Sequence, residues 1–402
     1  NGSGATGHAT HGRRGDGSVP CDSCRTGGFS APSDPTELKG WQVIEELLQQ
    51  RVGALSIPDV GVTLLDAGVR VRVAVAEGRA VVEILPGFPC ASLRPWLDAQ
   101  VQRVLADEGL ALTRLDLHPR IVSHAVQPNV TPLANVRNLI AIGSGKGGVG
   151  KSTTAVNLAL ALAADGARVG VLDADVYGPS IPMMLGLSGK PDSPDGKSIL
   201  PMQAHGIEAM SIGLLVDQDT PMIWRGPMAT SALTQLLGET RWGQSLSGDL
   251  DYLIVDLPPG TGDIQLTLAQ KIPVAGAVIV TTPQDVATLD ARKALKMFEK
   301  VSVPVLGLVE NMAVHVCSNC GHAEHVFGEG GGRRMAETYG VPLLGSLPLE
   351  IAIREQGDAG SPVVAAAPAS AAAAAYRATA LRMAIELARR PRVATPLSAS
   401  LV

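Results

Sequence analysis

A glycine-rich segment with two lysines is the clearest chemical signal in this 402-residue sequence. From Gly145 to Ser152 it fits the pattern G-x-x-x-x-G-K-[ST], between an apolar run and a helical pattern. Glycines let successive backbone N–H groups turn toward one phosphate, and a following helix adds the positive end of its dipole. Lys151 would reach the β- and γ-phosphates of a nucleotide, and the Ser152 hydroxyl would bind Mg²⁺. The residues predicted to bind the nucleotide here are Gly145, Lys146, Gly147, Gly148, Val149, Gly150, Lys151, Ser152 and Thr153.

Three aspartates stand at the ends of two further apolar runs. In a parallel sheet the ligand crevice lies at the carboxyl ends of the strands. We predict that Asp173 and Asp256 bind Mg²⁺ together with Ser152, and that Asp175 orients the attacking water. A single aspartate at a strand end is more often a helix cap, so the prediction depends on both runs following the same phosphate loop.

Two cysteines with the spacing Cys317-x-x-Cys320 supply half of a four-coordinate site for a soft metal. A symmetric dimer would complete four thiolates, which suits a bridging [4Fe–4S] cluster. A zinc site that uses His322 or His325 explains the spacing almost as well. A dithiol redox pair needs a thioredoxin-like context that this sequence lacks.

Composition restricts the classes of partner. The formal net charge is −5, which argues against a broad cationic surface for nucleic acid or anionic lipid. No apolar run approaches the ~18 residues of a membrane span. The first residues contain no apolar signal segment, and the five cysteines of the chain fit a reducing compartment. We therefore expect a cytoplasmic protein that binds neither nucleic acid nor a membrane.

The elements that position these residues form two units. Apolar runs separated by helical patterns predict an α/β fold with a mostly parallel, doubly wound sheet, preceded by a small α+β domain. The predicted division is a disordered tail over 1–35, the α+β domain over 36–126, a linker over 127–135, the nucleotide-binding domain over 136–390 and a carboxyl-terminal tail over 391–402.

The additional lysine, Lys146, makes the phosphate loop resemble the deviant Walker A motif of dimerising ATPases. These include the MinD/ParA group, the nitrogenase iron protein and the Mrp/ApbC carriers. Over roughly residues 136–389, further segments resemble the Mrp/ApbC (Nbp-type) branch of iron–sulfur cluster carrier ATPases. They are Asp173–Ser180, Asp256–Asp263, Val309–Met312, the pair Cys317 and Cys320, and Phe327–Gly332.

The resemblance implies a homodimer that binds and hydrolyses ATP and delivers a [4Fe–4S] cluster to apoproteins after receiving it from a donor. Lys146 would reach across the dimer interface to the partner's nucleotide, so that the catalytic residues would be Lys146, Lys151 and Asp175. Asn311 would bind adenine. Cys317 and Cys320 would hold the cluster.

Residues 38 to about 120 resemble the MIP18-type domain, with Leu65–Gly68 as its Asp-Leu-Gly-like segment. Cys90 stands where that family has its cysteine, although a lone cysteine is more often a small buried apolar residue. Cys21 and Cys24 resemble part of a four-cysteine cluster in eukaryotic relatives. Either an accessory cluster or an incidental pair explains them.

Two other functions compete with cluster transfer. One is a positioning ATPase of the MinD/ParA type that acts on a membrane or DNA, for which only the basic end of the last helix, Arg389–Arg392, speaks. The other is an ATP-dependent dimer switch in which the cysteines hold a structural zinc ion.

Overall fold

A computed structural model describes residues 35–215, 226–317 and 319–393. The predicted tail over 1–35 lies almost wholly outside the described residues, and so do Cys21 and Cys24. Most of the predicted carboxyl-terminal tail, 394–402, lies outside them as well.

The amino-terminal part is a three-stranded sheet with two helices. β1 pairs with β2 in antiparallel fashion, and β2 pairs with β3 in parallel. The alternating valines of β1 bury Val73 and Val75 and leave its arginines toward solvent, as the period of a half-buried strand requires. The elements are α1 (Pro35–Gly53), β1 (Arg70–Ala76), β2 (Arg79–Leu85), α2 (Arg94–Asp107) and β3 (Ala111–Leu117).

The second part is built on a sheet of nine strands within the described ranges. Six neighbouring pairs are parallel, and only β6–β7 and β10–β11 are antiparallel. The spatial order is β11-β10-β9-β4-β8-β5-β7-β6, with β12 also paired to β10. The strands are β4 (Leu139–Ser144), β5 (Val169–Asp173), β6 (Met202–Ala204), β7 (Ile207–Ser211), β8 (Tyr252–Asp256), β9 (Val274–Thr281), β10 (Val305–Val316), β11 (Ala323–Glu324) and β12 (Leu343–Pro348).

Helices cover both faces of this sheet. Along β4, Ile140 and Ile142 belong to one apolar core while Leu139 and Ala141 belong to the other, because successive side chains of a strand point to opposite faces. The helices are α3 (Lys151–Ala164), α4 (Ile181–Met184), α5 (Gly226–Glu239), α6 (Asp263–Lys271), α7 (Asp285–Lys300), α8 (Gly331–Tyr339), α9 (Ile351–Asp358), α10 (Val363–Ala366) and α11 (Ala371–Ala388). None of the helices described is long and apolar enough to cross a membrane.

The path of the chain places a ligand crevice at the end of β4. From β4 the chain first moves to β5 on one side and later returns to β9 on the other side. In a doubly wound sheet such a reversal leaves an open crevice at the carboxyl ends of the strands. The predicted fold class, a mostly parallel doubly wound α/β sheet preceded by a small α+β domain, is confirmed.

The amino-terminal part packs tightly on the larger one. The backbone N–H groups of Ala91 and Ser92 donate to the backbone carbonyl and to Oδ1 of Asp165, at 3.2 and 2.9 Å. Phe88 and Cys90 are each 1% exposed and share one core with residues of the larger part. Cys90 therefore behaves as a small buried apolar residue, and its thiol is closed to solvent.

Candidate functional site: the phosphate loop and the cysteine turn

The phosphate loop is a tight connection between β4 and α3. Gly148 and Gly150 have φ of +80° and +78°, in the left-handed region that favours glycine, and Gly150 caps α3. Gly145 is required for a different reason. A Cβ atom there would lie 2.0 Å from the backbone carbonyl carbon of Asp290 in α7. Gly148 and Gly150 are thus required for their backbone conformation, and Gly145 is required for its close packing against α7.

The loop borders a cavity of about 210 Å³. Gly147 and Gly148 are exposed at its edge, so their backbone N–H groups are accessible to a phosphate. This cradle, followed by the amino-terminal end of the 14-residue α3, fits a nucleotide phosphate chain. The cavity is lined by Ser144, Lys146, Gly147, Gly148, Gly150, Lys151, Ser152, Thr153, Asp175, Ser180, Met184 and Pro259.

Lys151 and Ser152 both contact Asp256 at the end of β8. Lys151 Nζ lies 2.6 Å from Asp256 Oδ1, and the Ser152 hydroxyl donates to Asp256 Oδ2. Lys151 and Asp256 are buried, with side-chain exposures of 6% and 0%. Oxygen atoms of a hydroxyl and a carboxylate are the donors that Mg²⁺ prefers, so the donor set fits the predicted metal.

Asp173 is the register partner of Asp256 on the neighbouring strand β5. It is fully buried and accepts hydrogen bonds from the N–H groups of Asp175 and Ile181 and from the Ser211 hydroxyl, at 3.1, 3.2 and 3.2 Å. Burial, reinforced by the charge of Asp256, raises the pKa of Asp173 to about 7. In this structure Asp173 fixes the backbone of the segment after β5 through these hydrogen bonds. Its role in binding Mg²⁺ stays a prediction.

Asp175 and Lys146 both line the cavity. Asp175 is half-buried and its Oδ1 accepts from the N–H of Tyr177 at 3.3 Å, which leaves Oδ2 for a water. Lys146 is half-buried, and the part of the chain that the structure describes offers it no ion-pair partner. The Ser144 hydroxyl donates to the Lys146 carbonyl at 2.9 Å and so fixes its backbone.

Asn311 contacts the phosphate loop from β10. Its Nδ2 donates to the Val149 carbonyl at 2.8 Å, and a Cβ at Gly150 would lie 2.1 Å from the same nitrogen. Asn311 is 5% exposed and therefore holds the loop in place from beneath. Its predicted contact with adenine stays a prediction, since the contact described here is with the loop backbone.

The cysteine turn follows the same strand. β10 continues to Val316, past an irregular register between Glu310 and Val314 where Met312 has φ +57°. Such a bulge bends a strand and redirects its end. The strand therefore leaves the buried sheet and presents Cys317 and Cys320 at the surface, half-buried and exposed respectively.

Local hydrogen bonding favours the thiolate form of Cys317. Backbone N–H groups of Asn319 and Cys320 are directed at its sulfur and lower the pKa of the Cys317 thiol. The turn is closed by two further bonds, from the Cys317 N–H to the His322 carbonyl at 2.9 Å and from the Gly321 N–H to the Cys317 carbonyl at 2.8 Å. A thiol with a lowered pKa and access to solvent is a good metal ligand.

The nearby histidines do not complete a metal site. His325 Nδ1 lies 2.7 Å from the Ala313 carbonyl, which commits that nitrogen, and His322 is exposed. Within the described ranges no three His, Cys, Asp or Glu side chains form a group that could hold a metal ion. Among the residues that the structure describes, one chain thus offers a metal the two thiols of Cys317 and Cys320.

The sequence patterns did not identify two polar residues of this region, Ser211 and Gln265. Ser211, at the end of β7, donates to Asp173, and the only signal for it was a polar residue after an apolar run. Gln265, in the first turn of α6, is buried beneath the start of the loop. Nothing in its sequence surroundings marks it as a site residue.

Comparison with known proteins identifies the family of the chain. Residues 135–384 match the ParA family, described as NUBPL iron-transfer P-loop NTPase. The iron–sulfur cluster carrier protein of Pseudomonas fragi is 58% identical over 272 residues, which cover 67% of this chain and 93% of that protein. A protein of the same description from Deinococcus radiodurans is 42% identical over 349 residues, 86% of this chain and 97% of its own.

Among solved structures, a nucleotide-binding protein from Archaeoglobus fulgidus in complex with ADP is similar to this chain. The two are 40% identical, with a TM-score of 0.49. The match covers 56% of this chain and 87% of that one.

Proposed function

Since the chain belongs to the ParA family of NUBPL-type iron-transfer P-loop NTPases, we propose that it binds iron–sulfur clusters and transfers them to apoproteins, coupled to ATP binding and hydrolysis in a homodimer. One observation carries this proposal. The strand β10 braces the phosphate loop through Asn311 and, six residues later, presents the thiol of Cys317, whose pKa is lowered. The strand β10 would therefore connect the nucleotide site with the cysteine turn.

The nucleotide half of the function uses the loop as a phosphate cradle. Lys151 would neutralise phosphate charge, and the backbone N–H groups at Gly147 and Gly148 would hold the phosphates in position. Bound Mg²⁺, held by Ser152 and Asp256, would add positive charge on the phosphate oxygens. Asp175, at the cavity wall, would orient a water for attack.

Lys146 supports the dimer part of the proposal. It lines the cavity and has no ion-pair partner among the residues described, so its ammonium group is available to a phosphate on a second protomer. A closed dimer would then depend on bound ATP. Hydrolysis would remove the phosphate that holds the two protomers together.

The cluster is the cargo of the reaction. The thiols of Cys317 and Cys320 from each protomer would provide four thiolates at a dimer axis, the common ligand set of a [4Fe–4S] cluster. Because Cys320 is exposed, a donor or an apoprotein can approach the cluster directly. We expect exchange with both classes of partner, in a reducing compartment such as the cytoplasm that keeps the thiols free.

The competing functions have less support. A membrane- or DNA-positioning ATPase would need a carboxyl-terminal amphipathic helix with a strong apolar face, or a basic surface. In α11, the last helix described, the large apolar residues Tyr376, Met383 and Leu387 are buried. A zinc-bridged dimer switch would use the same two cysteines. Metal analysis separates it from a cluster carrier.

The domain boundaries follow from the sequence pattern. We propose the division into a tail over 1–35, an MIP18-like domain over 36–126, a linker over 127–135, a nucleotide domain over 136–390 and a tail over 391–402.

Anaerobic reconstitution tests the proposal. Iron, sulfide and zinc are counted per dimer in the wild type, in Cys317→Ser/Cys320→Ser and in the control Cys90→Ala, whose thiol is buried far from solvent. We expect about four irons and four sulfides per dimer in the wild type and the control, and none in the double variant. Transfer is then followed by activation of an apo [4Fe–4S] enzyme, with and without ATP. About one zinc per dimer and no sulfide would overturn the proposal in favour of a structural clamp.

A further inference from the structure

Gln265 is a buried amide that has no hydrogen-bond partner in the described part of the chain. It lies in the first turn of α6 and is 1% exposed. Neither its Nε2 nor its Oε1 has a partner among the residues that the structure describes. Buried amides are normally paired, because an unpaired polar group loses its bonds to water and gains none in return.

The position of this amide connects it to the phosphate loop. A Cβ at Gly143, near the end of β4, would lie 3.3 Å from Gln265 Nε2 and 3.0 Å from the ring of Phe298. Gly143 stands two residues before the first glycine of the loop. The unpaired amide therefore lies directly beneath the point where the phosphate loop begins.

The segment before α6 borders the cavity, and its start is anchored in the apolar core, where Leu257 is 0% exposed. Pro259 lines the cavity, and Gly260 has φ +96° with open space around it. Two backbone bonds attach the segment to β4, from the Leu257 N–H to the Ile142 carbonyl at 3.0 Å and from the Gly260 N–H to the Ser144 carbonyl at 3.1 Å. Residues 259–262 are exposed or half-buried, so this part of the segment can shift while Leu257 stays in the core.

The two ends of α6 are held differently. At its carboxyl end, Gln127 Nε2 donates to the carbonyls of Ala269 and Ile272 at 2.6 and 3.1 Å. At its amino end, the cap is Gly262, without a side chain to bind the first turn. Any displacement of α6 is thus concentrated at the end that carries Gln265.

We propose that Gln265 is a positioning residue of the ATPase site, whose amide becomes paired when nucleotide draws Lys151 away from Asp256 and residues 259–262 shift. The inference rests on the proposed ATP function. Lys151 contacts Asp256 directly, and the segment begins with Leu257, the next residue in the chain. A movement of the lysine would therefore act on Asp256 and, through the backbone, on the segment that follows it. Gln265 would then stabilise the shifted arrangement by new bonds to exposed backbone groups.

The test replaces this amide by an apolar side chain of similar length, Gln265→Met. Tyr376→Phe is the matched control, since the Tyr376 hydroxyl is also buried and unpaired but lies in α11, away from the cavity. The melting temperature is measured with and without Mg²⁺ and a nonhydrolysable ATP analogue, together with kcat and KM for ATP hydrolysis.

We expect both substitutions to keep or raise the melting temperature without nucleotide. Only Gln265→Met should lose more than half of the nucleotide-induced increase and show a kcat lower by about tenfold, less than the ~100-fold that a 1 Å misplacement at a reacting centre can cost. A Gln265→Met protein with the wild-type increase and the wild-type kcat would overturn the inference. A wild type that shows no nucleotide response would instead refute the proposed ATP function.

A measurement on the wild type keeps the test decisive if Gln265→Met does not fold. Hydrogen exchange across residues 257–268 is compared with and without the same analogue. Exchange that changes in this segment while the carboxyl end of α6 stays constant supports the inference. Unchanged exchange over the whole of α6 contradicts it.

Discussion

Lys151 and Asp256 form a buried ion pair, with Nζ and Oδ1 2.6 Å apart, where the phosphate loop meets the end of β8. Removal of one member of such a pair leaves an uncompensated buried charge, which costs more than the loss of both. The residue that would bind phosphate is therefore also part of the structural support of the site.

We expect Lys151→Met to lower the free energy of unfolding by about 3 kcal/mol and to abolish ATP hydrolysis, because Asp256 then remains buried without its counter-charge. The double variant Lys151→Met/Asp256→Leu should recover most of the stability but none of the hydrolysis. Urea unfolding and a phosphate-release assay measure the two effects. Lys190→Met, at an exposed lysine, is the control and should match the wild type in both. A double variant less stable than Lys151→Met would contradict this account.

A second expectation concerns two glycines of one loop. Gly145→Ala should destabilise the protein by about 3 kcal/mol, at the upper end of overpacking costs, because its Cβ would meet the backbone of Asp290 at 2.0 Å. Gly147→Ala should stay within about 0.5 kcal/mol of the wild type, because its nearest neighbour is Pro259 Cβ at 4.0 Å. Thermal or urea unfolding compares them. Equal losses in the two variants would show that the loop does not pack on α7 as described.

The stability of the chain should depend on pH through His124. This residue is buried, its Nδ1 lies 2.9 Å from Asn138 Oδ1, and burial lowers the pKa of His124. Below the unfolded-state pKa of 6.5, His124 is protonated in the unfolded chain but still neutral in the folded chain. The free energy of unfolding therefore falls as the pH decreases from 6.5 toward the folded-state pKa.

Substitution by glutamine, which cannot gain a proton, isolates that contribution. Urea unfolding of the wild type and of His124→Gln at pH 7.5 and pH 5.5 should show a larger loss on acidification in the wild type. Equal losses in the two proteins would assign the acid sensitivity to other groups.

The rate of thiol alkylation should differ between the buried Cys90 and the accessible pair Cys317 and Cys320. Burial raises the pKa of Cys90 to about 12, whereas backbone N–H groups lower the pKa of Cys317. With iodoacetamide at pH 8, Cys317 and Cys320 should be alkylated rapidly and Cys90 only after denaturation. Peptide mass spectrometry reads each site. Native labelling of Cys90 at a rate similar to that of Cys317 would show that the packing between the two parts opens in solution.

Local sequence patterns predicted much of the site. The strand β4, the loop and α3 are adjacent in the chain, so glycine spacing and apolar periodicity suffice to identify them. The same holds for Cys317 and Cys320, which follow directly on the end of β10. In both cases the ligand-bearing residues and the element that positions them are neighbours in sequence.

Local sequence patterns could not predict the contacts between segments that are distant in the chain. The brace from Asn311 to Val149 joins residues 162 positions apart, and the bond from Ser211 to Asp173 joins two separate strands. Burial of Cys90 results from packing between two parts of the chain. No local periodicity encodes such pairings, because they depend on which surfaces the completed sheet brings together.

The bent strand β10 has a thermodynamic consequence. Asn311 holds the nucleotide loop and Cys317 begins the metal turn, about 20 Å apart along one continuous backbone. If occupancy of either site alters the bulge at Met312, linkage is obligatory and symmetric. Whatever factor ATP imposes on cluster affinity, the cluster must impose on ATP affinity, so a loaded carrier and an empty one would differ in their hold on nucleotide.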